Sequence, residues 1–276
     1  MMVRTARGML NRNTPVEDHR EAFGLWVKRE DLACPPPGPP FSKARGVYAW
    51  VAKQEAEVIG VLDTYHSQAG HAVARACSLL GKKCVNYYPS RVKEKGPFPA
   101  QLKSAELGAE IVALKAGMSA VLYHQAKKDV LGRGGVMIPN ALKLSESVDE
   151  TAKEVTGCPY ADYVIVPASS GTIAAGVIRG FVDRANDIGR SPPKFIIHLG
   201  YSRSHEELLQ YLADSSGYSM DDDLTIIDEG YSYGDESRPG RDPAWPSNKY
   251  YDLKAFRWLI NHRSEYAGEM LMWNVG

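Results

Sequence analysis

No apolar run in the 276-residue chain approaches the roughly 20 residues that a membrane helix needs, and the opening MMVRTARGMLNRN has no apolar stretch of the secretory kind. A spanning protein is therefore set aside, and a cytoplasmic location is the expectation. Cysteine is scarce: Cys34, Cys77, Cys84 and Cys158 are scattered without a C-x-x-C pair, which excludes a disulfide-built secreted scaffold and leaves reduced, buried thiols. Charge of either sign is not in excess, with 33 Lys and Arg against 33 Asp and Glu, so the overall balance does not mark a dedicated nucleic-acid or membrane binder. No repeat with a period of 20 to 50 residues is evident, and CPPPGPP at 34–40 is the sole low-complexity tract. What is present, 44% hydrophobic and 24% charged residues, is the make-up of a globular protein with one large domain or two modest ones.

From residue 48 onward, two kinds of apolar segment alternate. EVIGVLDTY (57–65) is a short β-branched run, and SQAGHAVARACSLLG (67–81) has helical spacing closed by a glycine. The alternation continues with KKCVNYYP, AEIVALK and GVMIP as strands, and with PAQLKSAELG, MSAVLYHQAKKDVLG and SVDETAKEVTG as helices. ADYVIVPASSGTIAAGVIRGFVDR reads as strand, small-residue turn and helix; PKFIIHLG, DLTIIDEG and GEMLMWNVG read as strands, and RSHEELLQYLADSSG and DLKAFRWLINHRS as helices. Such a pattern predicts an α/β fold of open, twisted, mostly parallel sheets with helices on both faces. One αβ unit is inserted in another: residues 1–47 plus 159–276 are expected as a large domain and 48–158 as a smaller one.

Three constellations point to chemistry. In VIVPASSGTIAAGV (164–177), an apolar strand feeds Ala168, Ser169, Ser170, Gly171 and Thr172 before a helix begins, so free N–H groups and hydroxyls converge where the helix dipole favours an anion. This is a phosphate cup without the lysine of a Walker loop, and an ordinary capped turn has the same residue types. In DTYHSQAGHAVA (63–74), polar residues crowd the carboxyl end of a strand, where open α/β sheets place ligands. His66 and His71 lie five apart with no acidic partner, a poor spacing for metal ligation. In GPPFSKARGVYAWVAKQ (38–54), Lys43 stands where a helix starts, a position that disfavours a cation. Either it is a solvated charge, or it is kept neutral and used as a nucleophile toward a phosphate-bearing aldehyde.

Taken in order, NTPVE (13–17), LWVKREDL (25–32), FSKARG (41–46), DTYHSQAGHAVARACSLLGKKC, AELGAEIV, PASSGTIAAGV, YYDLKAFRWL and EMLMWNVG give the chain its resemblance to the tryptophan-synthase-β-like, fold type II pyridoxal-phosphate enzymes. The likeness is nearest the branch of 1-aminocyclopropane-1-carboxylate deaminase and D-cysteine desulfhydrase, and it spans nearly the whole chain. It implies pyridoxal 5'-phosphate as cofactor, a homodimer, Lys43 as the residue that forms the Schiff base and moves the α-proton, and 168–172 as the phosphate turn. It also places Thr64, Tyr65, His66, Ser67 and Tyr233 among the catalytic residues.

Departures from the family pattern qualify what the resemblance carries over. Where the branch has Ser-Asn-His-Thr, this chain has Thr64, Tyr65, His66 and Ser67, so Tyr65 or Gln68 must replace the ring-contacting asparagine. In DEGYSYGD, Ser232 stands about where the deaminases place a carboxylate on the pyridine nitrogen, with Glu229 nearby. The leading expectation is a lyase or deaminase acting at Cα of an amino acid or amino-acid-bearing substrate. One alternative is a decarboxylase or lyase acting on an amino-acid-modified pyrimidine in phage DNA modification; another is a non-catalytic binder of a phosphate ligand. The first of these alternatives, on modified pyrimidines, would be supported by Lys82, Lys83, Arg91, Lys93 and Lys95 around Tyr87, Tyr88 and Phe98, a mixture suited to nucleic acid, although a solvated face has the same composition.

Overall fold

The computed structural model describes residues 10–90, 96–115, 117–219 and 223–276. In chain order its elements begin with β1 (Val16–His19), α1 (Arg20–Phe23), β2 (Leu25–Arg29), α2 (Ala44–Ala52), β3 (Val58–Leu62) and α3 (Ala69–Leu80). They continue with β4 (Lys83–Ser90), α4 (Pro99–Glu106), β5 (Glu110–Lys115), α5 (Ser119–Gly132), β6 (Val136–Met137) and α6 (Ser145–Glu154). The remainder is β7 (Tyr163–Ala168), α7 (Thr172–Ile188), β8 (Lys194–Leu199), α8 (His205–Ser216), β9 (Leu224–Ile227), α9 (Asp252–His262) and β10 (Met270–Asn274). Every strand and helix expected from residue 57 onward has its counterpart. The pair β1 and β2 was not expected as strands, because their polar, charged sequence VEDH…LWVKR has no simple alternation. Among the described residues, no helix is long and apolar enough to cross a membrane.

Among the described residues, the first of two units comprises Leu10, Cys34–Pro39 and Lys43–Glu146. Its four strands run in the order β5-β4-β3-β6, all parallel. Leu62, Val85, Tyr87 and Met137 from the sheet pack with Leu122, Ala126 and Val130 of α5. Gly60 lets α5 approach β3, because a Cβ there would lie 2.3 Å from Val130 Cγ2.

The second unit comprises Asn11–Ala33, Pro40–Ser42 and Ser147–Gly276. Its strand order is β1-β2-β10-β7-β8-β9, parallel apart from the antiparallel β1. Alternate residues of each strand enter opposite cores, as the two-residue period of a strand requires. Val164, Val166, Phe195, Ile197, Leu271 and Trp273 face α6, α7 and α8, whereas Ile165, Ile196, Met270 and Met272 pack with Phe256 and Leu259 of α9. Because both faces are covered, these strands read as unbroken apolar runs.

The contacts divide the chain between residues 146 and 147 and take 43–47 into the first unit, whereas the sequence suggested a division near 158 and grouped 1–47 with the large domain. The reason is close packing of α6 on α7. A Cβ on Gly176 would lie 2.6 Å from Thr151 Cβ, and one on Gly180 would lie 2.6 Å from Ala152 O.

The end of β10 is held by Asp252, which is wholly buried. Its Oδ1 accepts the Val275 N–H at 2.7 Å, and its Oδ2 accepts the N–H groups of Gly276 at 3.0 Å and Asn248 at 3.4 Å. Asp252→Asn would turn an NH2 group toward one of these donors and leave it unsatisfied. A loss of about 1–3 kcal/mol in stability is expected, read as a lower urea midpoint at unchanged slope.

Candidate active site

Lys43 caps α2 in the first unit, and its own carbonyl accepts the Val47 N–H at 2.9 Å. The side chain is buried, with 9% of its surface exposed, and Nζ donates to the Ala141 carbonyl at 2.9 Å. Ala141 and its neighbour Leu142 have φ of 56° and 50°, in the left-handed region that L-residues enter only at some cost. Neither residue type advertises that conformation, so this partner of Lys43 was invisible in the sequence. Burial of the amine, and secondarily the Lys143 charge, bring Lys43 down from 10.5 to about 7. Burial, more than the helix dipole, therefore resolves the oddly placed cation: near neutral pH much of this amine is unprotonated and nucleophilic.

In the same unit, residues 64–68 form the turn from β3 into α3. The Thr64 N–H donates to Asp63 Oδ1 at 2.9 Å, and Ser67 Oγ accepts the Ala69 N–H at 3.0 Å. The Tyr65 ring meets Phe98 edge-on at 4.3 Å between centroids and lies 6.4 Å from the His66 ring. Gln68 ends the turn, and its carbonyl accepts the Ala72 N–H at 2.9 Å. Its side-chain Oε1 is buried without a hydrogen-bond partner among the described residues, which marks the amide as available to a ligand. His71 lies within α3, with Nε2 2.8 Å from the Pro37 carbonyl.

The cup belongs to the second unit. Between Ala168, the last residue of β7, and Thr172, the first of α7, Gly171 sits at φ 86°, and a Cβ on it would lie 2.8 Å from Leu208 Cδ1 and 3.1 Å from Tyr211 Cδ1. Glycine is thus required twice over. The first turn of α7 leaves N–H groups without helical acceptors, at the positive end of the helix dipole. Ser170 and Thr172 hydroxyls are 3.0 Å apart, and Thr172 Oγ1 is 3.0 Å from the Tyr211 hydroxyl. Three contributors were missed in the sequence because they are distant along the chain. Arg203 donates to the Ser169 carbonyl at 2.7 Å, the Tyr251 ring packs so closely on Gly200 that a Cβ there would lie 2.3 Å from Tyr251 Cδ1, and Lys254 donates to the Gly200 carbonyl at 2.5 Å. Lys254 carried a readable signal, a charge on the buried face of an amphipathic helix, and burial brings it to about 8.

Glu229, Ser232 and Tyr233 also belong to the second unit. Glu229 Oε2 is 3.0 Å from Nε2 of the buried His198, a bond that holds the carboxyl below its ordinary range. Ser232 is exposed, and its N–H donates to Asp235 Oδ2 at 2.6 Å. Tyr233 packs edge-on against Tyr201 at 5.1 Å.

The basic stretch 81–103 departs from its expected form. Lys82 donates to the carbonyls of Gln54 and Ala56, both at 2.9 Å, and is used structurally. Tyr87 and Tyr88 are buried, Tyr87 in the core against α5, so neither offers a face to a base. Lys83 is exposed, while Arg91, Lys93 and Lys95 lie outside the described residues. All four cysteines are free and buried.

Each unit by itself offers groups that fit a part of pyridoxal phosphate: the first a buried amine near neutrality and an unsatisfied buried amide, the second a glycine turn with hydroxyls at a helix start. The sequence matches the model of the "Pyridoxal-phosphate dependent enzyme" family over residues 9–230, and the chain belongs to that family, with fold type II and pyridoxal phosphate as its cofactor. It is 42% identical over 97% of its length, and 100% of the relative's, to the "Glycyl-dTMP PLP-dependent decarboxylase" of Pseudomonas phage M6. Among solved structures, it is similar to an ACC deaminase homologue, with a TM-score of 0.76, 19% identity, and coverage of 97% of this chain and 90% of that one. Threonine deaminase isoform 2 from Solanum lycopersicum gives a TM-score of 0.69 at 15% identity, covering 99% and 86% of the two chains. At such identities the structures show a shared fold and no more.

Two predictions follow from this geometry. A buried lysine whose folded-state value is lowered binds its proton less well in the folded chain, so the penalty is complete below about pH 7 and fades as pH rises toward 10.5. Apoprotein carrying Lys43→Met should therefore melt above wild type at pH 6, with the difference shrinking by pH 10. Gly171→Ala places a Cβ at positive φ against Leu208. Its affinity for pyridoxal phosphate, measured by absorbance titration, should fall by about tenfold or more.

Proposed function

We propose that the protein is a pyridoxal-phosphate-dependent decarboxylase acting on an amino acid carried by a pyrimidine nucleotide. The observation that carries this reading is the 42% identity, end to end, with a phage enzyme named as a glycyl-dTMP decarboxylase. A free amino-acid lyase or deaminase draws support only from distant structures that share the fold, and fold alone does not transfer activity.

In this reading Lys43 Nζ holds the cofactor covalently, Ser169, Ser170, Gly171 and Thr172 hold its phosphate, and the Gln68 amide takes the place of the family's asparagine. When bound, pyridoxal phosphate supplies an electron-withdrawing ring that stabilises negative charge at the substrate's α-carbon. The turn of Thr64, Tyr65, His66, Ser67 and Gln68 contains no lysine or arginine to ion-pair a carboxylate and stabilise it against loss. Lys43 Nζ, with a value of about 7, carries the proton that replaces the lost carboxylate at Cα. Carbon dioxide leaves, one proton enters, and the amine stays on the nucleotide.

The test is incubation of the cofactor-loaded protein with glycyl-modified thymidine monophosphate, and separately with free amino acids. Carbon dioxide should form from the nucleotide without ammonia, giving a product lighter by one carbon dioxide, and Lys43→Ala should lower the rate by at least about a thousandfold. Ammonia release from free amino acids, with the nucleotide untouched, would overturn the proposal.

A further inference from the structure

Asp63 follows β3 directly and is wholly buried, which raises its carboxyl from 3.8 to about 6. Its backbone N–H makes the ladder bond to the Tyr87 carbonyl at 2.7 Å, so the sheet does not need the side chain. The carboxyl is occupied with the neighbouring turn. Oδ1 accepts the Thr64 N–H at 2.9 Å, and Oδ2 accepts Gln101 Nε2 at 2.8 Å and Asn86 Nδ2 at 3.4 Å. The start of α3 comes close to the same carboxyl: a Cβ on Gly70 would lie 2.5 Å from Asp63 Oδ2 and 2.0 Å from Asn86 Nδ2, so this approach needs glycine. One carboxyl therefore holds the turn at its first residue and packs against the backbone two residues past its last.

Gln101 extends the hold to a side chain of the turn. Its Nε2 also donates to the Thr64 carbonyl at 3.2 Å, and its Oε1 accepts the Phe98 N–H at 3.2 Å. Phe98 in turn carries the Tyr65 ring edge-on at 4.3 Å. Asn86 continues the network to Ser104 Oγ at 3.1 Å on α4. Two of the carboxyl's partners, the Thr64 N–H and Gln101, which also holds the Thr64 carbonyl, belong to or grip the loop after β3, while Asn86 ties the group to β4.

We propose that Asp63 is a positioning residue that fixes the Thr64–Gln68 turn for contact with the cofactor ring and substrate while touching neither, and that Gln101 relays this hold to Tyr65. The inference rests on the assignment of that turn to ligand contact made above.

The test is titration of apoprotein with pyridoxal phosphate, followed by its absorbance, together with thermal melting. Asp63→Asn presents an NH2 group to the Gln101 donor and should weaken binding about tenfold with a shifted visible band; Gln68→Ala should weaken it similarly. The double variant should be no weaker than Gln68→Ala alone, because both act through one turn. Val130→Ala opens a cavity in the core of the same unit and should melt earlier with affinity within about twofold of wild type. If Asp63→Asn melts early but keeps its affinity and band while Gln68→Ala loses them, Asp63 is structural and the proposal fails. If Gln68→Ala and Asp63→Asn are both silent in binding, the assignment of the turn fails and takes the proposal with it. Should Asp63→Asn not fold, Gln101→Met removes one donor and decides in its place: weakened binding supports the relay, and unchanged binding overturns it.

Discussion

The second unit depends on one insertion. Its last strand in sequence, β10, lies in the middle of the sheet, pairing with β2 on one side and β7 on the other. Until those last residues dock, β2 and β7 each have an open edge, and the cores that need Leu271, Trp273, Met270 and Met272 remain unfilled. The contacts that close this sheet are thus among the most distant in the chain, a topology that folds late for reasons of loop entropy. Asp252 fastens the end of the strand, and Asn274 adds bonds from Nδ2 to Asp31 Oδ1 at 2.8 Å and to the Pro246 carbonyl at 3.0 Å. The strand that carries the cup, β7, is positioned through this same central strand.

Buried charge divides into two kinds in this molecule. Lys28 and Glu154 form a pair at 3.0 Å, both nearly inaccessible, and Lys28 also donates to the Thr14 carbonyl at 2.7 Å. Every polar atom of that kind has a counterpart, and its role is to join the N-terminal segment to α6. Lys43 is of the second kind: a buried amine set against a backbone carbonyl, with another lysine nearby. Such an arrangement destabilises the fold to keep an amine reactive, and strained backbone at Ala141 and Leu142 accompanies it. In the function proposed above, stability is sacrificed where the cofactor would be held covalently.

The fold by itself leaves the reaction open, because deaminases and racemases share it at 14–19% identity. What narrows the choice is the chain-wide identity to the phage decarboxylase, joined to Tyr65 standing where the related branch has asparagine. The deaminase expectation came from motifs that mark cofactor binding, which all branches share. Motifs that bind a cofactor are weak guides to the bond that it breaks.

The order of strands and helices from residue 57 onward was legible because hydrophobic period and helix ends are local properties. Lys43 and the 168–172 turn were legible for the same reason, being a cation at a helix start and a run of small hydroxylated residues between strand and helix. The strands at 16–29 were not legible, because charged side chains there are held by partners far along the chain, such as Lys28 on Glu154. Nor was the burial of Tyr87, which depends on α5, more than thirty residues further along the chain, covering that face of the sheet. Sequence alone determined the element order, the αβ class and the residues disposed to hold a phosphate and an amine-reactive group. Only tertiary structure decided which ionisable groups lose water, and so the pKa of Lys43 and Asp63, because desolvation is the sum of contacts from segments that the chain keeps far apart.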